Sequence, residues 1–195
     1  MLNEQGTTPI FHAVSAGRRS ITEYLVEKGA DVDLSKEGGW KPIHAATYNE
    51  FEKLTNFLVD KGADLSSPCK DIQGYTPLHI LISTEEPPSK LIDLLVRNGA
   101  PLNSLNVTGS TPLHLAAFWG HYSVVTLLVE EGAKMDLKND KGRTALDVAA
   151  LYGHKKIAEY LSQKSNKPMP TIKTKERKTL TMYAPAEPPT PDKIK

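Results

Sequence analysis

The chain has 195 residues, 39% of them hydrophobic and 24% charged, which is enough apolar material for a packed core. Twenty-four Lys and Arg stand against 23 Asp and Glu, and the resulting formal charge of +1 sets up no global field to draw a nucleic acid or an anionic membrane. No apolar run approaches the roughly 18 residues of a membrane span, and Met1-Leu2-Asn3-Glu4 lacks the basic and apolar parts of a secretory signal, so a soluble chain is expected.

One signature opens five times along the chain, at Gly6, Gly39, Gly74, Gly109 and Gly142, with spacings of 33, 35, 35 and 33 residues. The first unit runs from Thr8-Pro9-Ile10, with Phe11 next, to Gly29-Ala30-Asp31-Val32; the second from Pro42-Ile43-His44-Ala45-Ala46 to Gly62-Ala63-Asp64-Leu65. Two extra residues enter near Ser67-Pro68-Cys69-Lys70 and two more in Thr84-Glu85-Glu86-Pro87-Pro88-Ser89, on either side of Thr76-Pro77-Leu78-His79; both insertions are expected as loops. Cys69, the single cysteine, cannot close an internal disulfide, which is compatible with a reducing compartment, and its loop position makes it an expected surface thiol.

The fourth unit explains the pattern mechanically. Gly109 permits a turn, Thr111 caps a helix, and Pro112 sits where a first helical residue needs no backbone donor. Leu113, Ala116 and Ala117 share one helix face, with alanines small enough for a neighbouring helix to come close. Gly120 ends that helix, Val124, Leu127 and Leu128 give the next its own apolar stripe, and Gly132 ends the second. In the fifth unit Ala145 and Asp147 replace proline and histidine, and Lys155, Lys156, Glu159, Gln163 and Lys164 make its second helix polar outside, which reads as a C-terminal cap. The first unit reads equally as a natural cap or as the edge of a longer array. Residues 165–195 hold six prolines and seven Lys or Arg against three acids and are read as a disordered, Pro/Lys-rich tail.

Thr111 to Ala117, with the copies at Thr8, Pro42, Thr76 and Thr144, resembles the ankyrin repeat, whose Thr-Pro-Leu-His-x-Ala motif recurs at a period near 33. The resemblance implies an all-α ankyrin-repeat solenoid over residues 1–164, with units beginning near 3, 36, 71, 106 and 139, built of helix-turn-helix units joined by β-turn or hairpin loops. It also implies that His44, His79 and His114 brace the turns through hydrogen bonds, and that His121 and His154 do similar structural work. Asn103, at the place of Asp33, Ser66 and Asp136, becomes on the same ground a candidate for asparagine hydroxylation.

No catalytic set, metal site or cofactor is expected. Histidines repeated at one place in stacked units stand about 8–10 Å apart, whereas ligands of a shared zinc each lie within about 2.1 Å of it. The chain has no Gly-x-x-x-x-Gly-Lys loop, no Gly-x-Gly-x-x-Gly and no Gly-x-Ser-x-Gly elbow. What the motif leaves open is a surface. In ankyrin-like folds the turn tips beside the opening glycine and the two positions after the Ala-Ala pair choose the partner. The tips here are Thr7, Trp40, Tyr75, Ser110 and Arg143; the paired positions include Tyr48, Phe118, Trp119 and Tyr152. Six of the chain's aromatics fall on these positions, against about one expected, so Trp40, Tyr48, Tyr75, Phe118, Trp119, Arg143 and Tyr152 are the expected partner-binding residues, with Trp40 and Trp119 partly exposed.

The expected function is a non-catalytic protein-binding scaffold or adaptor, monomeric, cytoplasmic or nuclear, with no nucleic-acid partner. Two other readings compete. One is a regulatory domain of a larger enzyme or channel, or a nucleotide-binding surface in which rings near Arg143 and Lys141 stack a base. The other is self-regulation by Thr179-Leu180-Thr181-Met182-Tyr183 folding back on the groove.

Overall fold

The computed structural model describes residues 7–170, with the Glu37 side chain excepted; the segments 1–6 and 171–195, and with them the expected tail and its fold-back segment, lie outside the described residues. Among the described residues ten α-helices follow one another: α1 Pro9–Ser15, α2 Arg19–Glu27, α3 Pro42–Tyr48, α4 Glu52–Asp60, α5 Pro77–Ile82, α6 Ser89–Arg97, α7 Pro112–Trp119, α8 Tyr122–Glu130, α9 Ala145–Leu151 and α10 Lys155–Ser165. No strand occurs among the described residues, and no helix there is long and apolar enough to cross a membrane. The odd-numbered helices form an inner row, each packed on the next; each even-numbered helix packs on its own inner partner to make an outer row. This is the solenoid the resemblance implies.

One apolar core runs through the stack, from Ile10 and Val14 through Ile43, Leu58, Leu78, Ile92, Leu113 and Leu128 to Leu161. A lone hairpin would expose both broad faces, so burial comes from the neighbours. The two ends differ accordingly. On the outer helices the equivalent positions Leu54, Leu91, Val124 and Ile157 are 2%, 2%, 3% and 2% exposed, whereas Ile21 in the first unit is 53% exposed. At the other end, Lys155, Lys156, Glu159, Gln163 and Lys164 of α10 face solvent while Ile157, Ala158 and Leu161 are buried.

Polar links at fixed places hold the units in register. In α3, α5 and α7 the Nδ1 atom of His44, His79 or His114 accepts the backbone N–H of Lys41, Thr76 or Thr111, at 3.1, 3.3 and 3.2 Å. The Nε2 atom donates to a carbonyl of the following connection, Ser67, Ser110 or Arg143, at 2.9, 3.3 and 2.9 Å. A backbone N–H can only donate and a carbonyl can only accept, so each ring is neutral with its proton on Nε2. At the far end of the helices the links run backwards: His121 Nε2 donates to Thr84 O at 3.0 Å and His154 Nε2 to Phe118 O at 2.9 Å. There Gly120, at φ 81°, ends α7, and a Cβ on it would lie 2.5 Å from the His154 ring. The same turn in the second unit carries Glu50 at φ 54°, a strained place for a residue with a side chain. Asp33 accepts the N–H of Asp64 at 3.0 Å, and Asn103 accepts that of Lys134 at 2.9 Å, a third set of links.

Where the motif residue changes, a different bond serves. Asp147 takes both the N–H and the hydroxyl of Thr144 on Oδ2, each at 2.8 Å, so the carboxylate completes the cap of α9 without an arm to a following hairpin. Phe11 is buried, with the Lys36 ammonium 5.4 Å over its ring from the next connection. Lys41 stands where the other caps have threonine, and its ammonium lies 3.0 Å from Asp64 and 3.5 Å from Asp33, tying the first unit to the second. Burial opposes ionisation of Asp64, but hydrogen bonds from Ser66, Ser67 and Lys41 outweigh it and hold its pKa well below the usual carboxylate range.

The insertions depart from expectation in one case. The segment near Cys69 is an ordered closed turn, with Lys70–Ile72 in a 3-10 helix and Cys69 bridged to Tyr75, its N–H on Tyr75 O at 2.8 Å. Cys69 is buried rather than a surface thiol, and burial pushes its pKa up to about 11. The second insertion, between α5 and α6, is a loop.

Burial pushes His44 and His79 down from 6.5 to about 4. The unfolded chain takes up protons below about pH 6.5 that the folded chain refuses, so the contribution of these rings is complete above pH 6.5 and is lost as pH falls towards 4. Each ring accounts for about 3 kcal/mol over that span. Urea denaturation across the interval should give a falling midpoint, and His79→Gln should make the fall shallower; a midpoint constant down to pH 4 would contradict the neutral-ring assignment.

Candidate functional site

The expected partner-binding residues separate into two groups. Trp40 and Tyr75 are 3% and 1% exposed, so their expected place on an open surface is corrected. The Trp40 ring meets Tyr48 edge to face at 5.8 Å and His44 at 6.4 Å, while Tyr75 stacks on His79 at 5.6 Å. The cause lies in the main chain. Each residue before a cap closes the connecting hairpin instead of forming its tip: Trp40, Tyr75, Ser110 and Arg143 accept, on their carbonyls, the N–H of Lys36, Cys69, Asn106 and Asn139. Two of those carbonyls, on Ser110 and Arg143, also accept the histidine Nε2 of the preceding unit, which fixes the backbone against the stack. Thr7 and Ser110 are buried at the same position; Arg143 alone is partly exposed.

The projecting tips lie a few residues upstream. Leu105 and Val107 are 56% and 64% exposed in the connection from the third unit to the fourth, beside a buried Asn106 whose Oδ1 accepts the N–H groups of Thr108 and Ser110. Sequence reasoning missed them. Their signal was an apolar, polar, apolar alternation, Leu105-Asn106-Val107, inside a turn where no core is available.

The second group sits at the C-terminal ends of the inner helices. Tyr48, Phe118, Trp119 and Tyr152 are half-buried. Phe118 stands 5.1 Å from Trp119 and 4.4 Å from Tyr152, both edge to face, so the three rings make one cluster across α7 and α9. The Trp119 Nε1–H is buried without an acceptor among the described residues. Burial raises the pKa of the Tyr152 hydroxyl, and the charge of Arg143 opposes that rise, which places the guanidinium within electrostatic range of the cluster. Lys141 is lowered, by burial first and by the Arg143 charge second. Arg143 has no ion pair among the described residues, while Asp147, four residues on, is occupied by the Thr144 cap.

The family described as ankyrin repeats matches three times, over residues 1–69, 65–139 and 86–174. Ankyrin repeat and SOCS box protein 3 of Bos taurus is 32% identical over 102 residues, which is 52% of this chain and 19% of that protein. The protein of the same name from Homo sapiens is 33% identical over 102 residues, with the same shares. The matched segment thus spans about a fifth of the length of these curated relatives.

Burial separates the rings by what their loss costs. Trp40→Ala and Tyr75→Ala should each destabilise the chain by about 3–5 kcal/mol, because the cavity lies inside the stack. Trp119→Ala and Tyr152→Ala should cost less than about 2 kcal/mol. Urea midpoints at constant m-value would check this; equal losses for the two pairs would mean that the second pair is core as well.

Proposed function

We infer that this chain, which belongs to the ankyrin-repeat family, is a non-catalytic module that holds a protein partner against the inner-helix face of its last two units. Ankyrin repeats are in general protein–protein interaction modules. The observation that carries the finer reading is the cluster of Phe118, Trp119 and Tyr152, three large rings joined through Phe118 that the stack leaves half-buried although it buries Trp40 and Tyr75 fully. Half-covered aromatics with an arginine in electrostatic range are the residue types that dominate interface energy, and completing their burial is what a partner would supply. Tyr48, half-buried on the second unit and edge to face with Trp40, extends the same face towards the N-terminal end.

Each ring that acts as an anchor should contribute about 2 kcal/mol, or about 30-fold in affinity. Side-by-side affinity capture with the unaltered chain and with Trp119→Ala/Tyr152→Ala should yield a protein retained by the first and lost by the second, at unchanged helical circular dichroism. Retention of every captured protein by the double variant would place the binding face elsewhere.

A further inference from the structure

We propose that the segment held at this face is acidic, a stretch of a partner protein in which one or more Asp or Glu carboxylates flank an apolar residue, with Arg143 receiving the carboxylate and the Phe118, Trp119 and Tyr152 rings receiving the apolar group. The inference rests on the binding reading above and names the chemistry of the partner.

Three observations carry it. Arg143 presents five N–H donors and no acceptor, and among the described residues no carboxylate pairs with it. The two acids nearest in sequence do not serve: Asp147 is engaged on Oδ2 by both Thr144 donors, and the Asp140 carboxylate lies against Gly109 of the preceding connection. Second, the backbone holds Arg143 in place. Its N–H donates to Asn139 Oδ1 at 3.1 Å and its carbonyl accepts His114 Nε2 at 2.9 Å, so the side chain springs from a fixed base. Third, Arg143 lies within electrostatic range of the ring cluster. Burial, and after it the Arg143 charge, lowers the pKa of Lys141, and the same charge opposes the burial-driven rise at Tyr152 on the edge of the ring cluster. An anion brought there forms a planar two-point pair with the guanidinium.

Charge also discriminates among occupants. Residues 165–195 carry seven Lys or Arg against three acids, so the chain's own C-terminal segment offers few carboxylates to Arg143. That disfavours the self-regulation reading at this place.

The test pans a random twelve-residue peptide library, displayed on phage, against the full chain and resynthesises the enriched peptides. Enriched sequences should be rich in Asp and Glu beside an aromatic or aliphatic residue. Arg143→Glu should weaken them at least about 10-fold, Arg143→Lys should recover part of the loss, and panning on Arg143→Glu should enrich basic sequences instead. Peptides that need Trp119 and Tyr152 but show no acidic bias and ignore Arg143→Glu overturn the acidic-segment proposal and leave the binding face standing. Peptides indifferent to both sets of substitutions overturn both. Binding that appears only when phosphoserine replaces the carboxylates overturns the carboxylate assignment, and displacement of the peptides by a synthetic copy of residues 171–195 identifies the chain's own segment as the occupant and overturns it too.

Discussion

The structure depends on a buried neutral imidazole that is bonded to two units at once. Each of His44, His79 and His114 accepts a donor at the cap of its own helix through Nδ1 and donates to the next connection through Nε2. Helix start and stacking register are therefore set by one side chain. An imidazole can do this because its two nitrogens point in different directions and take opposite roles when the ring is neutral. A carboxylate has no donor, and Asp147 accordingly serves its own cap and nothing beyond it.

Fixing the connection in this way determines which side chains can face out. The residue before each cap offers its carbonyl to the hairpin, and at Ser110 and Arg143 also to the imidazole, so its own side chain is carried against the stack. Trp40 and Tyr75 become core through the backbone they sit on, and their rings pack on the histidines of their own units. Arg143 occupies the equivalent place with a side chain too long and too polar to be covered, which keeps its charge accessible. The insertion in the connection from the second unit to the third preserves the same bridge by forming a 3-10 turn between Cys69 and Tyr75.

The inner helices close differently. Large rings on their last residues pack edge to face, Tyr48 on Trp40 and Phe118 on Trp119 and Tyr152. Covering is incomplete because no element of the chain passes over that end among the described residues. A half-wet aromatic cluster beside an unpaired guanidinium is a surface that gains from contact with both an apolar group and an anion. The chain's overall charge of +1 conceals this local asymmetry.

The sequence alone determined the repeat, its period and the ends of its helices, because each depends on chemistry local to a few residues. Thr111 and Pro112 start α7 and Gly120 ends it for reasons of donors, dihedral angles and close approach that need no knowledge of distant contacts. The polar outer side of α10 was legible in the same way. The aromatic excess at Trp40, Tyr48, Tyr75, Phe118, Trp119 and Tyr152 was also visible, but composition treats all six alike. Only the tertiary structure divided them, since whether a ring is covered depends on which main-chain groups of the neighbouring unit hold its backbone. Leu105 and Val107 became surface, and Cys69 became core, for the same reason: exposure is a property of the stacked units and of no unit taken singly.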